Sequence, residues 1–149
     1  MTRQISENGL KFIEGWEALR LTGYMPTPND VPTAGWGHTG PEVKIGQQYT
    51  RGQAVAWLDH DLDIAEEEVN RACPNLTQNQ FDACVSLTHN IGVGGFEHST
   101  VHRMIDSGQI LAASDAFLLW NKQAGQILDG LTNRRKAERT LFLTPDPIA

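Results

Sequence analysis

Thr22-Gly-Tyr-Met-Pro-Thr-Pro-Asn-Asp-Val-Pro-Thr-Ala-Gly-Trp-Gly-His-Thr39 is the stretch that decides the class of fold. Pro26, Pro28 and Pro32 remove backbone donors and clash with a preceding helical turn, so no long helix runs through it. Gly23, Gly35 and Gly37 punctuate the same stretch, and Tyr24, Thr33 and Trp36 between them favour extended backbone. Turn signals continue through Gly40 and Gly46, so residues 22–48 read as short strands and turns.

The flanks read as helix. Upstream, Leu10, Ile13 and Leu21 stand at spacings that face one side of a helix, with Phe12 and Trp16 close by. Downstream, Thr50-Arg-Gly-Gln53 is a capping box, the threonine capping and the glutamine reaching back. It opens a helix through Ala54, Val55, Leu58, Leu62, Ala65 and Val69 that Pro74 closes. A second capping box, Thr77-Gln-Asn-Gln80, opens a helix carrying Phe81, Cys84, Val85 and Leu87, which the run Gly92-Val-Gly-Gly-Phe96 is expected to end. Three shorter helical blocks follow around residues 99–106, 109–120 and 131–142, before a frayed tail. Strands are expected only near the N-terminus. The predicted class is α+β, one domain over residues 1–149, with a small lobe (1–50) holding a short β-hairpin, a connecting helix (51–73) and a larger helical lobe (75–149).

Twelve Lys and Arg against eighteen Asp and Glu give a net charge of −6 with no long basic run, which argues against nucleic acid as the main partner. An acidic protein still binds an anionic polymer where a cleft is locally cationic. No apolar stretch approaches the roughly 18 residues of a membrane span, and no apolar block marks a secretion signal, so no stable membrane insertion is expected. Cys73 and Cys84 are too few for a disulfide framework and read as reduced, half-buried thiols.

Glu17 is the most informative ionisable residue. Ile13 lies four positions back and Leu10 seven, so all three project from one helical face. A carboxylate on an apolar stripe loses hydration, which favours its protonated form and suits a general acid. Two alternatives stay open on spacing alone: Glu17 ends the helix at the surface or pairs with Arg20, or Glu14 takes the role. The following loop offers one carboxylate, Asp30, and one hydroxyl, Thr33. In an inverting hydrolysis a second carboxylate activates water from the opposite face of the sugar, and a hydroxyl helps hold that water. Asn29-Asp30 reads equally well as a turn pair.

Other patterns fail on their own chemistry. Asp59-His-Asp-Leu-Asp63 starts like a calcium loop, but Ile64 stands where glycine is needed and Asn70 where glutamate is, leaving a solvated helix face. His98 and His102 stand one turn apart without a third ligand, so no metal site is assigned. Gly92, Gly94 and Gly95 lack the Gly-Lys-Ser/Thr of a phosphate loop. No cofactor is expected.

Glu17-Ala-Leu-Arg-Leu-Thr-Gly-Tyr24, followed by Pro32-Thr-Ala-Gly-Trp-Gly-His-Thr39, resembles the phage-type lysozymes, or endolysins, of glycoside hydrolase family 24. Those carry Glu-Gly-Leu-Arg-Leu…Tyr and then Thr-Ile-Gly-Tyr-Gly-His-Thr. Gln80-Phe-Asp-Ala-Cys-Val-Ser-Leu-Thr-His-Asn-Ile-Gly92, Gly95-Phe-Glu-His-Ser-Thr100, Trp120-Asn121 and Gly130-Leu-Thr-Asn-Arg-Arg-Lys-Ala-Glu138 resemble the later patterns of the family. The resemblance implies a lysozyme-like fold and cleavage of the β-1,4 bond between N-acetylmuramic acid and N-acetylglucosamine in bacterial peptidoglycan. It implies Glu17 as general acid and Thr33 as the threonine holding the attacking water.

One departure stands out. The family spacing for the second acid lands on Pro26 counted from Glu17, and on Thr27 counted back from Thr33. The loop is one residue longer, and Asp30, three residues before Thr33, is the nearest substitute. Substrate contacts are expected from His38, Asn121, Gln126 and Arg134; Arg135 and Glu138 are expected to form a helix-face pair. Cations near residues 134–139 are expected to attract the anionic wall. The reading implies a monomeric muramidase made in the host cytoplasm, reaching periplasm and wall through a separate holin-type pore. Its alternatives are a non-catalytic peptidoglycan-binding module and a lytic transglycosylase.

Overall fold

A computed structural model describes residues 2–148. Glu7–Trp16 forms helix α1; Arg20–Tyr24, Thr33–Gly35 and His38–Thr39 form strands β1, β2 and β3; and Arg51–Ala72 forms the long helix α2. Helices α3 (Gln78–Ile91), α4 (Val93–Glu97), α5 (Thr100–Asp106) and α6 (Ile110–Ala116) follow, then a 3-10 turn (Phe117–Leu119), strands β4 (Lys122–Gln123) and β5 (Gln126–Ile127), and helix α7 (Asp129–Leu143). The chain forms two compact units, one of residues 11–63 and one of residues 1–10 with 64–149.

The unit of residues 11–63 is built on an antiparallel sheet in the order β1-β2-β3. Arg20 pairs with Gly35 and Tyr24 with Thr33, so β1 spends more residues than β2 between the two pairs and bulges. Gly23 is the bulge residue that must lack a side chain: a β-carbon there would stand 2.0 Å from the Lys44 carbonyl oxygen. Its amide donates to Gln47 O (2.9 Å) and its carbonyl accepts from Gly46 N (2.8 Å), sewing the loop after β3 onto β1. Ala34, Val43 and Tyr49 bury against Trp57 of α2. The Tyr49 hydroxyl donates to Glu42 O (3.0 Å) and accepts from Lys44 N (2.8 Å), so its polar tip is satisfied inside the fold. The first capping box forms as read: Thr50 N donates to Gln53 Oε1 (2.8 Å) and Gln53 N to Thr50 Oγ1 (3.1 Å).

In the second unit α3 is central, with every residue from Phe81 to Thr88 buried. The second capping box closes its N-terminus, where the Asp146 carboxylate also accepts from the amides of Gln78 (2.9 Å) and Asn79 (2.8 Å). Exposed amides and the helix dipole make that end a natural seat for an anion. Phe117 and Phe142 meet with ring centroids 5.3 Å apart. The extended N-terminal segment is fastened by Ile5 N to Glu66 Oε2 (2.7 Å), and by the Ser6 amide and hydroxyl to Asp82, a fully buried carboxylate.

Four expectations are corrected. Leu21 is on β1 and 37% exposed rather than on the first helix, because the chain leaves α1 after Trp16. Strands are not confined to the N-terminal part: β4 and β5 pair as a second hairpin around Ala124 (φ +52°) and Gly125 (φ +80°). Gly92 ends α3 as expected, and Val93 through Glu97 then form the short helix α4. Cys73 and Cys84 are free and buried, not half-buried. Arg135 and Glu138 pair in the interior at 0% exposure, not on a solvated helix face.

Candidate active site

Glu17 is the first residue beyond α1, and its amide still donates to Ile13 O (3.1 Å), so the helical geometry carries one step past the last full turn. Ile13 is fully buried and Glu17 is half-buried, which places the carboxylate at the edge of the apolar face that its spacing implied. A β-carbon on Gly37 would lie 3.1 Å from Glu17 Oε2. Gly37 sits between β2 and β3 at φ +78°, a conformation L side chains rarely adopt. The acid is therefore set directly against the turn of the hairpin whose first strand begins at Thr33.

Thr33 is buried, and its hydroxyl donates to Val31 O at 2.9 Å. With the proton committed there, the oxygen offers lone pairs to a second partner, which is how a hydroxyl accepts a hydrogen bond from water. Asp30 is exposed in the turn opened by Thr27: its amide donates to Thr27 O (3.1 Å), its Oδ1 accepts from Val31 N (2.8 Å), and the Thr27 hydroxyl lies 3.5 Å from Oδ2. The turn role read from Asn29-Asp30 is thus realised, and the same contacts fix the carboxylate's direction. Val31 couples the two residues, giving its amide to Asp30 and its carbonyl to Thr33.

His38 is buried on β3, with Nδ1 2.8 Å from Asp61 Oδ2 and Nε2 2.5 Å from Glu42 Oε1. Its ring stacks on Trp57 at 4.6 Å. Burial alone would lower its pKa, but the two carboxylates outweigh that and raise it above the ordinary value of 6.5. The same contact holds the Glu42 carboxyl below its usual range. Both ring nitrogens are occupied within the unit, where they tie the hairpin to Asp61 of α2 and to Glu42. Asp61 also corrects the reading of the Asp59–Asp63 run as wholly solvated. Its pairing with a histidine 23 residues away had no local sequence signal.

The remaining predicted contacts belong to the other unit. Asn121 is half-buried and donates to Thr132 Oγ1 (3.2 Å), and Gln126 is exposed on β5. Arg134 is buried, with Nε 3.2 Å from Glu138 Oε2 and Nη2 3.2 Å from Ser86 O. Burial of Arg134 and Arg135 also removes two charges from the expected cationic patch; Lys136 remains exposed, and Arg139 pairs with Asp115 at 2.8 Å. No cluster of three or more potential metal ligands occurs among the described residues.

A carboxylate at a helix end against a small antiparallel sheet, in an otherwise helical chain, defines a protein of the lysozyme-like α+β class. The Phage lysozyme family profile matches residues 14–138, and the chain belongs to that family. It is 40% identical over 146 residues to the endolysin of Salmonella phage P22, covering 95% of this chain and 99% of that one. It is 38% identical over 146 residues to the endolysin of Bacillus phage PZA, covering 97% of this chain and 57% of the relative. The chain thus spans little more than half the length of the Bacillus phage relatives it matches. Among solved structures, the muramidase domain of SpmX from Asticaccaulis excentricus superposes with a TM-score of 0.86 at 38% identity, over 96% of this chain and all of that one.

Proposed function

We propose that this chain is a muramidase that hydrolyses the β-1,4 bond between N-acetylmuramic acid and N-acetylglucosamine in bacterial peptidoglycan, serving host-cell lysis by a phage. The observation that carries the reading is the Glu17 carboxylate against Gly37, in the hairpin that begins at Thr33. The family match and the endolysin names of its relatives support it.

In this mechanism the Glu17 carboxyl gives its proton to the glycosidic oxygen as the bond from that oxygen to the sugar carbon breaks. Water attacks the same carbon from the opposite face, held by the Thr33 oxygen, and loses its proton to Asp30. Configuration at the carbon inverts, as required when water rather than a side chain is the nucleophile. The enzyme acts as a monomer, without a cofactor. No helix among the described residues is long and apolar enough to cross a membrane, and we infer passage from the host cytoplasm to the wall through a separate holin-type pore.

Turbidity loss of outer-membrane-permeabilised Gram-negative cells, with mass spectrometry of the fragments, tests the assignment. Free reducing ends are expected, and Glu17→Gln should lower the rate on the order of 10²–10⁴-fold. Anhydro-muramic ends would instead establish transglycosylation, a reading favoured by Pro26 and Thr27 standing where the family spacing asks for an acid. Wall binding without cleavage by the unaltered chain would establish a binding module.

A further inference from the structure

We propose that Gly15 is a positioning residue for the general acid: its bare backbone keeps the last turn of α1 pliable, so that Glu17 advances on the glycosidic oxygen and withdraws from the product. The inference rests on the glycosidase reading above. The two glycines of α1 stand in opposite surroundings. Gly9 has no room for a side chain, since a β-carbon there would stand 2.6 Å from Cγ of the buried Asp82 and 2.8 Å from Ile5 Cγ1. Its amide donates to the Ser6 hydroxyl oxygen (3.0 Å), and the Ser6 amide and hydroxyl both donate to Asp82. Asp82 also accepts from Gln78 Nε2 at 2.8 Å. The first turn of α1 is thus seated firmly on α3.

Gly15 lies in the last turn of α1, two residues before Glu17, and is exposed. Its φ is not positive. Among the described residues, no atom beyond its chain neighbours and the helix's own backbone comes within 4 Å of where a β-carbon would sit. Neither conformation nor packing calls for glycine there. Glycine inside a helix is less stable than alanine because its backbone is freer in the unfolded chain. The chain therefore forgoes helix stability in the turn that leads into its acid. A local preference broken without a packing reason is expected where function needs movement.

Ile13, fully buried, holds α1 just before Gly15, and the Glu17 amide is bonded to the Ile13 carbonyl at 3.1 Å. The carboxylate rests against Gly37, which limits adjustment of the side chain in that direction. A change in the reach of the acid then has to come from the backbone of residues 14–17. Proton donation needs the carboxyl within about 2.6–3.2 Å of the glycosidic oxygen, and release of the shortened glycan needs that contact undone. A turn free of side-chain contacts at Gly15 permits both movements.

Gly15→Ala tests this against Gly52→Ala in the first turn of α2, where a β-carbon would meet nothing nearer than Thr50 Oγ1 at 3.8 Å. Both should raise Tm, by up to roughly 2–4 °C. In Gly15→Ala alone, amide exchange of Trp16 and Glu17 followed by NMR should slow several-fold. In that variant alone, kcat on soluble peptidoglycan fragments should fall about threefold to tenfold with KM unchanged. Three results overturn the inference: exchange that does not slow, an unchanged kcat in Gly15→Ala, or a kcat lowered equally by Gly52→Ala. A change confined to KM also overturns it, showing instead that the glycan passes over the bare Gly15 backbone. In each of these cases the glycosidase reading stands if the unaltered chain cleaves the fragments. If the unaltered chain does not cleave them, both fall.

Discussion

Glu17 and Gly37 are so close that a β-carbon on the glycine would stand 3.1 Å from the Oε2 atom, tight enough that the acid would have to give way by a few tenths of an ångström. At φ +78° any L residue is also strained, by about 1–2 kcal/mol. Gly37→Ala is therefore expected to lower stability by about that amount and to push the carboxylate aside. A displacement of the acid by a fraction of an ångström should slow lysis by roughly tenfold or more. Rates of Gly37→Ala and Glu17→Gln, measured at a temperature where both are folded, check this. A Gly37→Ala protein with wild-type lytic rate would remove the argument for close positioning.

Thr33 and Asp30 make separable predictions because they meet different atoms of Val31. Thr33→Ser keeps the hydroxyl and should keep most activity. Thr33→Val keeps the shape, leaves the Val31 carbonyl without its donor, and should lose activity together with about 1 kcal/mol of stability. Asp30→Ala should cost on the order of 10²–10⁴ in rate on the proposed assignment, with little change in stability because the turn is exposed. NMR of the first-formed anomer in the unaltered enzyme supplies the stereochemical test: a retained configuration rules out direct attack by water.

His38 gives a pH dependence of definite sign. Its folded pKa lies above the ordinary 6.5 because Asp61 and Glu42 bracket the charged ring. The stabilisation is fully present below the unfolded value and is lost as pH rises through the higher folded value. Melting temperature relative to His38→Asn should accordingly fall as pH climbs above 6.5, and the gap between the two proteins should narrow. A gap that widens with pH would mean that the ring is neutral in the fold.

What could be read from the chain follows from how local each interaction is. Both capping boxes join residues three apart, so Thr50-Arg-Gly-Gln53 and Thr77-Gln-Asn-Gln80 announce their helices from the sequence. The α1 face was legible as far as Glu17 because helical spacing fixes direction. The β4–β5 hairpin was not, since strands of two residues have no alternation, and its turn uses Ala124 at positive φ where Asn-Gly would have been recognisable. His38 with Asp61 and Arg134 with Ser86 join residues 23 and 48 apart, and nothing near either member marks it as buried.

The two thiols should be inert in the folded protein. Burial pushes the Cys73 pKa up to about 12, and Cys84 is more deeply enclosed, so neither supplies thiolate at neutral pH. A disulfide reagent at pH 8 should label neither in native protein and both in denaturant. Rapid native labelling of Cys73 would show that the segment covering it opens readily.

Glu138 offers the strongest stability test, because Arg134, Arg135 and Ser86 converge on it at 0% exposure. Burial pushes its carboxyl pKa up, while the two guanidiniums and the serine hydroxyl pull it down. The cluster therefore depends on a carboxylate whose charge the arginines need as much as it needs theirs. Glu138→Gln preserves the shape and removes the buried carboxylate that Arg134 and Arg135 share. Breaking a buried pair in this way costs about 3–5 kcal/mol. In a chain of 149 residues that corresponds to a fall in Tm on the order of 10 °C. Replacing Arg135 and Glu138 together by Met and Leu removes one charge of each sign and should be less damaging than Glu138→Gln alone, since the penalty comes from an uncompensated charge more than from a lost contact. If the double replacement is the worse of the two, the cluster contributes net attraction beyond its mutual neutralisation.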